Sequence, residues 1–413
     1  MTKISVPPWP EYTDEEINAV GDVLRSGKVN YWTGSLTRDF EMAFAEWCQT
    51  AHAIAVANGT VALDLCLAGL GIGARNGGRA SDEVIVTPRS FVASASVIVN
   101  AGARPRFVDV GEDSQNIEAE TVATALTEQT RAVICVHLAG WPCDMDAIKA
   151  VCEGRDIRLI EDCAQAHGAI YKGRPVGGLG DAAAWSFCQD KIMTTGGEGG
   201  MVTCNDPALW KRMWSLKDHG KSYDAVHTPP AQPGFRWLHE GFGSNWRLTE
   251  MQSAIGLIQL RRMAEWTALR RRNAGMLLAA LAPHAGKDGL ARLPAPRCAG
   301  CDGSCAARGC HHGWYRAYVF VRQSRLADGW TRDRIVAELQ ELGVPCMQGS
   351  CSEIYLEKAF EAGDRRPAAR LPAARRLGET SIAFLVHPTI DDATMARIAE
   401  AAAAIFGQAA GTA

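Results

Sequence analysis

Residues 185–200 read Trp-Ser-Phe-Cys-Gln-Asp-Lys-Ile-Met-Thr-Thr-Gly-Gly-Glu-Gly-Gly, a strand of small and apolar residues that ends in a serine and is followed by a glycine-rich turn. Lys191 is the one cation in this stretch. A lysine amine attacks a carbonyl carbon only when it is deprotonated, which requires a partly desolvated site or a neighbouring cation. Taken alone, the pattern equally describes a solvated loop lysine.

A buried strand is predicted upstream at residues 157–160, Ile-Arg-Leu-Ile, and Asp162 follows its carboxyl end. In open α/β sheets the ligand lies beyond the carboxyl ends of the strands. A carboxylate in that position can keep the ring nitrogen of a pyridine cofactor protonated. A capping or turn aspartate is the alternative interpretation of Asp162.

The third segment is a strand at residues 53–57, a turn Asn58-Gly59-Thr60 and an apolar helix beginning at Val61. The free N–H groups at a helix N-terminus bind phosphate, although an ordinary capped turn has the same appearance. A fourth segment, residues 243–256, predicts a helix capped by Thr249. Its apolar stripe of Met251, Ile255 and Ile258 indicates core packing.

Strands and segments of helical length alternate from about residue 81 to 206, with strands at residues 83–86, 106–108, 132–136 and 158–160. This alternation predicts an α/β fold in which helices cover both faces of a mostly parallel sheet. A long helix leads into the C-terminal region. It carries two runs of arginine, residues 261–262 and 270–272, which we expect on a solvated face.

That region contains a strand at residues 318–321, a helix at 332–342 and a terminal helix after residue 395. We therefore predict a large domain at residues 1–262 and a small α+β domain at residues 263–413.

The four segments, in this order and spacing, resemble the DegT/StrS family of sugar aminotransferases, a branch of the aspartate-aminotransferase fold. The resemblance extends from residues 7–10 to residues 385–388. It implies a type I pyridoxal-phosphate (PLP) fold with a sheet of the seven-stranded type. Lys191 would form the internal aldimine with PLP and carry the proton, and we expect burial and the cofactor to lower its pKa. Other cofactor residues that the resemblance implies are Asp162 for the pyridine nitrogen, Gln165 for the phenolic oxygen, Gly59, Thr60 and Ser186 for the phosphate, and Phe91 for ring stacking.

The resemblance also implies that Asn245 reaches the phosphate of a second subunit, so that a symmetric homodimer shares its active sites. The amino donor would be glutamate or glutamine, and the acceptor a nucleotide-linked ketosugar or, as in related enzymes, a ketocyclitol. Retention of Lys191, rather than a histidine, favours transamination over dehydration. Candidate substrate residues are Arg89 and Arg247 for a diphosphate, Trp32 and Thr33 in the loop at residues 27–34, and His387. Either arginine is equally well explained by a surface ion pair.

Composition excludes several other classes. The chain has 413 residues, a net charge of −3 and a pI near 6.4, which argues against a nucleic-acid-binding surface. No apolar run approaches the roughly 20 residues that cross a bilayer. The first eight residues lack the apolar core of a signal peptide, so we expect a cytoplasmic enzyme.

Cysteine is abundant, with 14 residues in the chain. Four of them and two histidines fall within residues 297–312; these are Cys298, Cys301, Cys305, Cys310, His311 and His312. The set offers enough ligands for a zinc ion, but its spacing is not that of a paired knuckle. The alternatives are a structural metal, a disulfide or redox-responsive loop, and an unliganded surface loop.

Two functions of other classes are compatible with parts of the sequence. A regulator that binds PLP without turnover would keep Asp162 and the phosphate site. A metal-dependent binding module would centre on residues 298–312 and lose binding in the presence of a chelator.

Overall fold

The structure is a computed structural model that describes residues 2–229, 234–295, 308–363 and 365–411. Within these ranges the α-helices are α1 (Asp14–Ser26), α2 (Leu36–Cys48), α3 (Gly59–Gly69), α4 (Ala93–Asn100), α5 (Ala119–Ala125), α6 (Met145–Cys152), α7 (Pro207–Lys217), α8 (Tyr223–His227), α9 (Glu250–Leu281), α10 (Arg332–Glu341), α11 (Pro372–Thr380) and α12 (Asp392–Ala409). The strands are β1 (His52–Val56), β2 (Glu83–Val86), β3 (Arg104–Phe107), β4 (Thr130–Val136), β5 (Arg158–Asp162), β6 (Ile170–Tyr171), β7 (Arg174–Pro175), β8 (Ala182–Ser186), β9 (Gly200–Cys204), β10 (Ala291–Arg292), β11 (Ala317–Val321), β12 (Cys346–Met347) and β13 (Ser381–Phe384).

A seven-stranded sheet forms the centre, in the order β1-β9-β8-β5-β4-β2-β3. All neighbours pair in parallel except β9, which is antiparallel to β1 and β8. The predicted mostly parallel α/β fold is therefore confirmed. Strands β4 and β8 carry nearly continuous apolar sequence, as expected of a sheet that helices cover on both faces.

Side-chain alternation divides the core into two clusters, one on each face. On β1, Ala53 and Ala55 face the cluster that contains Phe40 and Trp185, whereas Ile54 and Val56 face the other. The parallel strands all end at one edge of the sheet, and that edge is where the segments singled out in the sequence meet.

A second sheet, β10-β11-β13-β12, is antiparallel and forms a separate core with α10 and α12. The first residues of the chain belong to this core, since Ile4 is buried in it and its N–H donates to the carbonyl of Leu342 at 2.8 Å. The predicted domain boundary at 262/263 lies inside α9, which is continuous over 32 residues.

Arg261 and Arg271 of α9 are exposed, as expected from sequence, but Arg262 and Arg270 are not. Arg262 pairs with Glu16 of α1 at 2.9 Å, and Arg270 is fully buried with its guanidinium 5.0 Å from the ring centre of Trp9. Arg262 and Arg270 therefore pack against the N-terminal segment. In the described ranges, no helix combines the length and apolar character needed to cross a membrane.

Candidate active site

A cavity of about 580 Å³ lies at the carboxyl edge of the large sheet. We call it the lysine cavity. It brings together six of the residues singled out in the sequence, namely Gly59, Thr60, Phe91, Asp162, Gln165 and Ser186, with Lys191. They converge because the β1–α3 turn and the ends of β5 and β8 lie at one edge of the sheet.

Lys191 lies in the turn after β8, with 17% of its side chain exposed. Its Nζ is 3.2 Å from Asp190 Oδ1 and 5.2 Å from the ring centre of Tyr315. The indole N–H of Trp9 donates to the carbonyl of Lys191 at 2.8 Å, which holds the turn from the N-terminal side.

We expect burial and the bound cofactor together to lower the pKa of Lys191, whereas in the protein alone it is raised. Burial lowers this pKa, but Tyr315 and Asp190 together raise it above its ordinary value. The amine is therefore protonated at neutral pH until a reactant displaces Asp190 or a further cation approaches.

Asp162 is the last residue of β5 and is buried on the floor of the lysine cavity. Its carboxylate accepts hydrogen bonds from the hydroxyl of Ser94 at 2.8 Å and the N–H of Ala164 at 3.1 Å. Burial raises the pKa of Asp162, and these two donors and Lys191 only partly oppose the shift. A cationic N–H in the cavity would supply the partner that this carboxylate needs.

A buried histidine and glutamate support the floor from below, and sequence reasoning missed them. His137 Nδ1 accepts from the N–H of Cys143 at 3.0 Å, so its Nε2 carries the proton and donates to Glu161 at 3.0 Å. Glu161 also accepts from the N–H groups of Gly177 and Gly180. Despite burial, His137 and then these two donors lower the pKa of Glu161. A single histidine or glutamate has no sequence signal that would reveal this pairing.

The β1–α3 turn has the geometry of an anion site. Asn58 caps α3 by accepting from the N–H of Val61 at 2.9 Å, so Gly59 and Thr60 begin the helix with N–H groups that have no intrahelical acceptor. A Cβ on Gly59 would lie 2.6 Å from Ser186 Cβ, and only glycine permits this approach. The hydroxyl of Ser186 is thereby held beside the helix N-terminus.

Phe91 and Gln165 complete the walls. The ring of Phe91 is 67% exposed although it lines the cavity, so one face is free to stack on a planar ligand. Gln165 is buried, and its Oε1 accepts from the N–H of Ala139 at 2.8 Å, which leaves its amide nitrogen as the group available to a ligand oxygen.

Pyridoxal phosphate fits this residue set. The helix N-terminus with Ser186 suits its phosphate, the underpartnered carboxylate of Asp162 suits its pyridinium nitrogen, and Lys191 suits its aldehyde. The cavity, the contact between Gly59 and Ser186 and the buried carboxylate of Asp162 are the features that make pyridoxal phosphate fit.

Four predicted residues, Asn245, Arg247, Trp32 and Thr33, lie away from the lysine cavity of their own chain. The exposed Asn245 pairs through its backbone with Asp218, and Arg247 donates to the same aspartate at 2.6 Å. Trp32 is 38% exposed, with Lys221 4.1 Å from its ring centre. Thr33 beside it is also exposed and donates through its hydroxyl to Asn30. The structure therefore groups these residues on a separate surface.

Arg89 and His387 are not accessible in the way the sequence suggested. The guanidinium of Arg89 is fully buried and donates to Gln115 and Ser352, so it offers no contact to a substrate diphosphate. His387 is 5% exposed, its Nδ1 is hydrogen-bonded to Thr389 at 2.7 Å and burial lowers its pKa to about 4. Both side chains support the loops in which they lie.

Of the four cysteines in the proposed cluster, Cys310 is the one within the described residues. Cys298, Cys301 and Cys305 lie outside them. Cys310 is buried, and its sulfur accepts from the N–H of Lys172 at 3.2 Å.

The neighbouring histidine is also engaged in local contacts. His312 stacks on Trp314 with ring centres 4.0 Å apart and accepts from its N–H. Burial lowers the pKa of His312 to about 3.

The chain matches a known protein family over most of its length. The model of the DegT/DnrJ/EryC1/StrS aminotransferase family matches residues 10–403. The chain is 37% identical to GDP-perosamine synthase of Caulobacter vibrioides, over 76% of each chain. It is 32% identical to dTDP-3-amino-3,4,6-trideoxy-alpha-D-glucose transaminase of Streptomyces venezuelae, over 95% of this chain and 92% of that one.

A third relative acts on a different kind of acceptor. L-glutamine:2-deoxy-scyllo-inosose aminotransferase of Streptoalloteichus tenebrarius is 38% identical over 67% of this chain and 65% of its own. Among solved structures, an aminotransferase from Psychrobacter cryohalolentis superposes with a TM-score of 0.93 at 52% identity, covering 98% of this chain and 100% of that one. The chain thus belongs to the DegT/DnrJ/EryC1/StrS aminotransferase family, whose members are PLP-dependent transaminases.

Proposed function

We propose that this protein transfers an amino group from glutamate or glutamine to a nucleotide-linked ketosugar, as a homodimer with PLP bound at Lys191. The observation that carries the proposal is the lysine cavity, which Lys191, the buried carboxylate of Asp162 and the Gly59–Ser186 contact all line. Bound PLP supplies an electron sink that makes the Cα–H of an amino donor acidic.

The protein residues then have separate tasks. Asp162 keeps the ring nitrogen protonated, and Ser94 holds that carboxylate in place at 2.8 Å. Lys191, once neutral, would take the proton from the donor Cα and return it to the aldehyde-derived carbon of the cofactor, C4′. Phe91 covers one ring face, and the N–H groups of Gly59 and Thr60 hold the phosphate.

The acceptor class is inferred from the relatives. Two of them are named for nucleotide-linked amino sugars, and their matches cover three quarters or more of the chain. A ketocyclitol is the second candidate, favoured by the 38% identity to the scyllo-inosose aminotransferase. That relative uses glutamine as donor by its name, which keeps both donors in the proposal.

The proposed homodimer is supported by the surface around Asn245. The side chains of Phe235, Trp237 and Phe242 are 80%, 85% and 100% exposed, an unusual grouping of large apolar residues. Asn245 does not line the lysine cavity of its own chain, as expected if it serves the cavity of a second copy. Burial of these aromatic side chains would stabilise such an assembly by roughly 1.5–3 kcal/mol each.

An absorbance experiment tests the enzymatic proposal. The protein reconstituted with PLP is mixed with glutamate, then glutamine, and afterwards with a panel of nucleotide ketosugars and ketocyclitols. We expect the cofactor band to bleach with a donor and to return with one acceptor, which identifies the acceptor class. Lys191→Ala should show neither change. A band that no amino donor bleaches would instead support a PLP-binding regulator, and stoichiometric zinc with chelator-sensitive binding would support a metal-dependent module.

A complementation experiment tests the shared site. Lys191→Ala and Asn245→Ala chains are each expected to be inactive or strongly impaired as homodimers. If Asn245 acts on the partner's cofactor, mixed dimers regain one intact site with about one half of wild-type activity per dimer. Absence of any recovery in verified mixed dimers would contradict the trans arrangement.

A further inference from the structure

A second cavity of about 350 Å³ opens from the lysine cavity, and we call it the side cavity. The two cavities share Ser90, Phe91, Gln165, Asp190 and Lys191 in their linings. A molecule that reacts at Lys191 therefore has continuous space into the side cavity. Its far wall is built by residues of the C-terminal region, including Tyr315 and Arg316, directly before β11.

Arg316 has hydrogen-bonding capacity that the protein leaves unused. A guanidinium has five N–H donors. Its Nη2 donates to the hydroxyl of Tyr315 at 3.2 Å, and its Nη1 contacts the thioether of Met347, a weak acceptor. The Nε is buried and has no hydrogen-bond partner among the residues that the structure describes. An unpartnered donor of this kind is costly unless a ligand accepts from it.

The charges around Arg316 are also unbalanced. Asp190 lies between two cations, with its Oδ1 3.2 Å from Lys191 Nζ and its Oδ2 3.6 Å from Arg316 Nη2. Tyr315 donates its hydroxyl to the same carboxylate. The other charged residue of the side cavity, Glu357, is exposed to solvent. Two cations share one carboxylate, Asp190, whose side chain is half exposed, and this leaves a place for a second anion.

We propose that Arg316 binds the α-carboxylate of the amino donor and so selects amino acids over simple amines, an inference that rests on the proposed aminotransferase function. The base must approach the Cα–H within about 3 Å, and the α-carboxylate is one bond from Cα. That carboxylate consequently lies within a few ångströms of the Lys191 amine. Asp190, which contacts both Lys191 and Arg316, now lies at the same distance from this amine. A guanidinium binds a carboxylate through two parallel hydrogen bonds, which a lysine does not reproduce.

The test compares L-glutamate with 4-aminobutyrate, which is glutamate without its α-carboxylate. Donor half-reaction rates are measured against donor concentration for wild type, Arg316→Gln and Arg316→Lys. We expect Arg316→Gln to lower the efficiency for L-glutamate roughly 10- to 100-fold, mainly through weaker binding, from the loss of a charge-assisted pair. The efficiency for 4-aminobutyrate should change little, and Arg316→Lys should fall between. Circular dichroism and the cofactor absorbance band check folding and loading.

Two further measurements separate this role from simple pairing with Asp190. In the double variant Arg316→Gln/Asp190→Asn, glutamate use should stay low if Arg316 binds the donor, whereas recovery would mean that Arg316 only neutralises Asp190. The dissociation constant of maleate, a dicarboxylate without an amine, should rise in Arg316→Gln. An unchanged maleate affinity, or a loss confined to the acceptor half-reaction, would overturn the proposal.

The failure of this proposal is distinguishable from failure of the proposed function. If wild type reacts with glutamate but Arg316→Gln retains the preference for it over 4-aminobutyrate, only the assignment of Arg316 is wrong. If wild type reacts with no amino donor, the aminotransferase function and the donor site are both refuted.

Discussion

Gly59→Ala is the substitution whose effect follows most directly from the geometry. The added Cβ would lie 2.6 Å from Ser186 Cβ and 3.1 Å from Ser186 Cα. Carbon atoms in contact are normally about 3.5–4.0 Å apart, so the overlap approaches 1 Å. The second contact is backbone, so rotation of the Ser186 side chain does not relieve it. Either α3 or the end of β8 must move.

Overpacking of this kind costs about 1–3 kcal/mol. Alanine regains at most about 1 kcal/mol through helix propensity. If the strain is expressed in the cofactor site, the affinity for PLP falls roughly 5- to 150-fold, since 1.4 kcal/mol corresponds to a factor of ten. The assay is a PLP titration followed by absorbance, combined with urea unfolding of the cofactor-free protein.

Gly275→Ala is the matched control. Gly275 lies on the same protein's α9, and a Cβ there meets nothing within 4 Å. We expect it to stabilise the fold by about 0.5–1 kcal/mol and to leave PLP affinity unchanged. If Gly59→Ala binds PLP as tightly as wild type and unfolds at the same urea concentration, the close approach of α3 and β8 is refuted.

Two other predictions follow from the charged groups. Because Asp190 and Tyr315 raise the pKa of Lys191 despite burial, the neutral amine should be scarce at pH 7, and the rate of covalent PLP attachment should rise about tenfold per pH unit below that pKa. Stopped-flow absorbance should show Asp190→Asn faster than wild type at pH 7, and a pH-independent rate would contradict the assignment. Glu161→Gln should lower the free energy of unfolding at pH 7 by about 1–3 kcal/mol, measured in urea, because a buried charge-assisted pair with His137 is lost. The pKa of Glu161 is lowered in the folded state, so its stabilisation is present above its ordinary value of 4.5 and is lost as pH falls through the folded value. The difference between variant and wild type should therefore shrink on acidification below about pH 4.5, and a difference that grows there would oppose this role.

The large sheet, and the position of residues that end or follow its strands, could be predicted from the sequence. Asp162 and Ser186 each end a strand, and strand ends in a parallel sheet meet at one edge, so local sequence predicts their proximity. Residues contributed by the C-terminal region were not predictable in this way. Tyr315 and Arg316 reach Asp190 across 125 residues or more of sequence, and no local pattern encodes that contact.

The errors have a common physical origin. Arg89 was interpreted as an exposed cation, but its charge is satisfied by neutral oxygen acceptors and by the ring of Tyr318 in the core. In the protein alone, Tyr315 and the adjacent Asp190 raise the pKa of Lys191 although burial lowers it. In both cases, side chains that lie close in space outweigh what the residue type alone suggests, and most of these side chains are distant in sequence.

The attachment of the first residues to the last has a consequence for synthesis of the chain. The N–H of Ile4 donates a hydrogen bond to the carbonyl of Leu342, and the hydroxyl of Thr389 donates to the carbonyl of Pro8. The indole N–H of Trp9 donates to the carbonyl of Lys191. While the ribosome is still making the second half of the protein, the N-terminal segment has no core to enter. The large sheet can form first, but the turn that carries Lys191 acquires its final support only after the C-terminal strands and α12 have emerged.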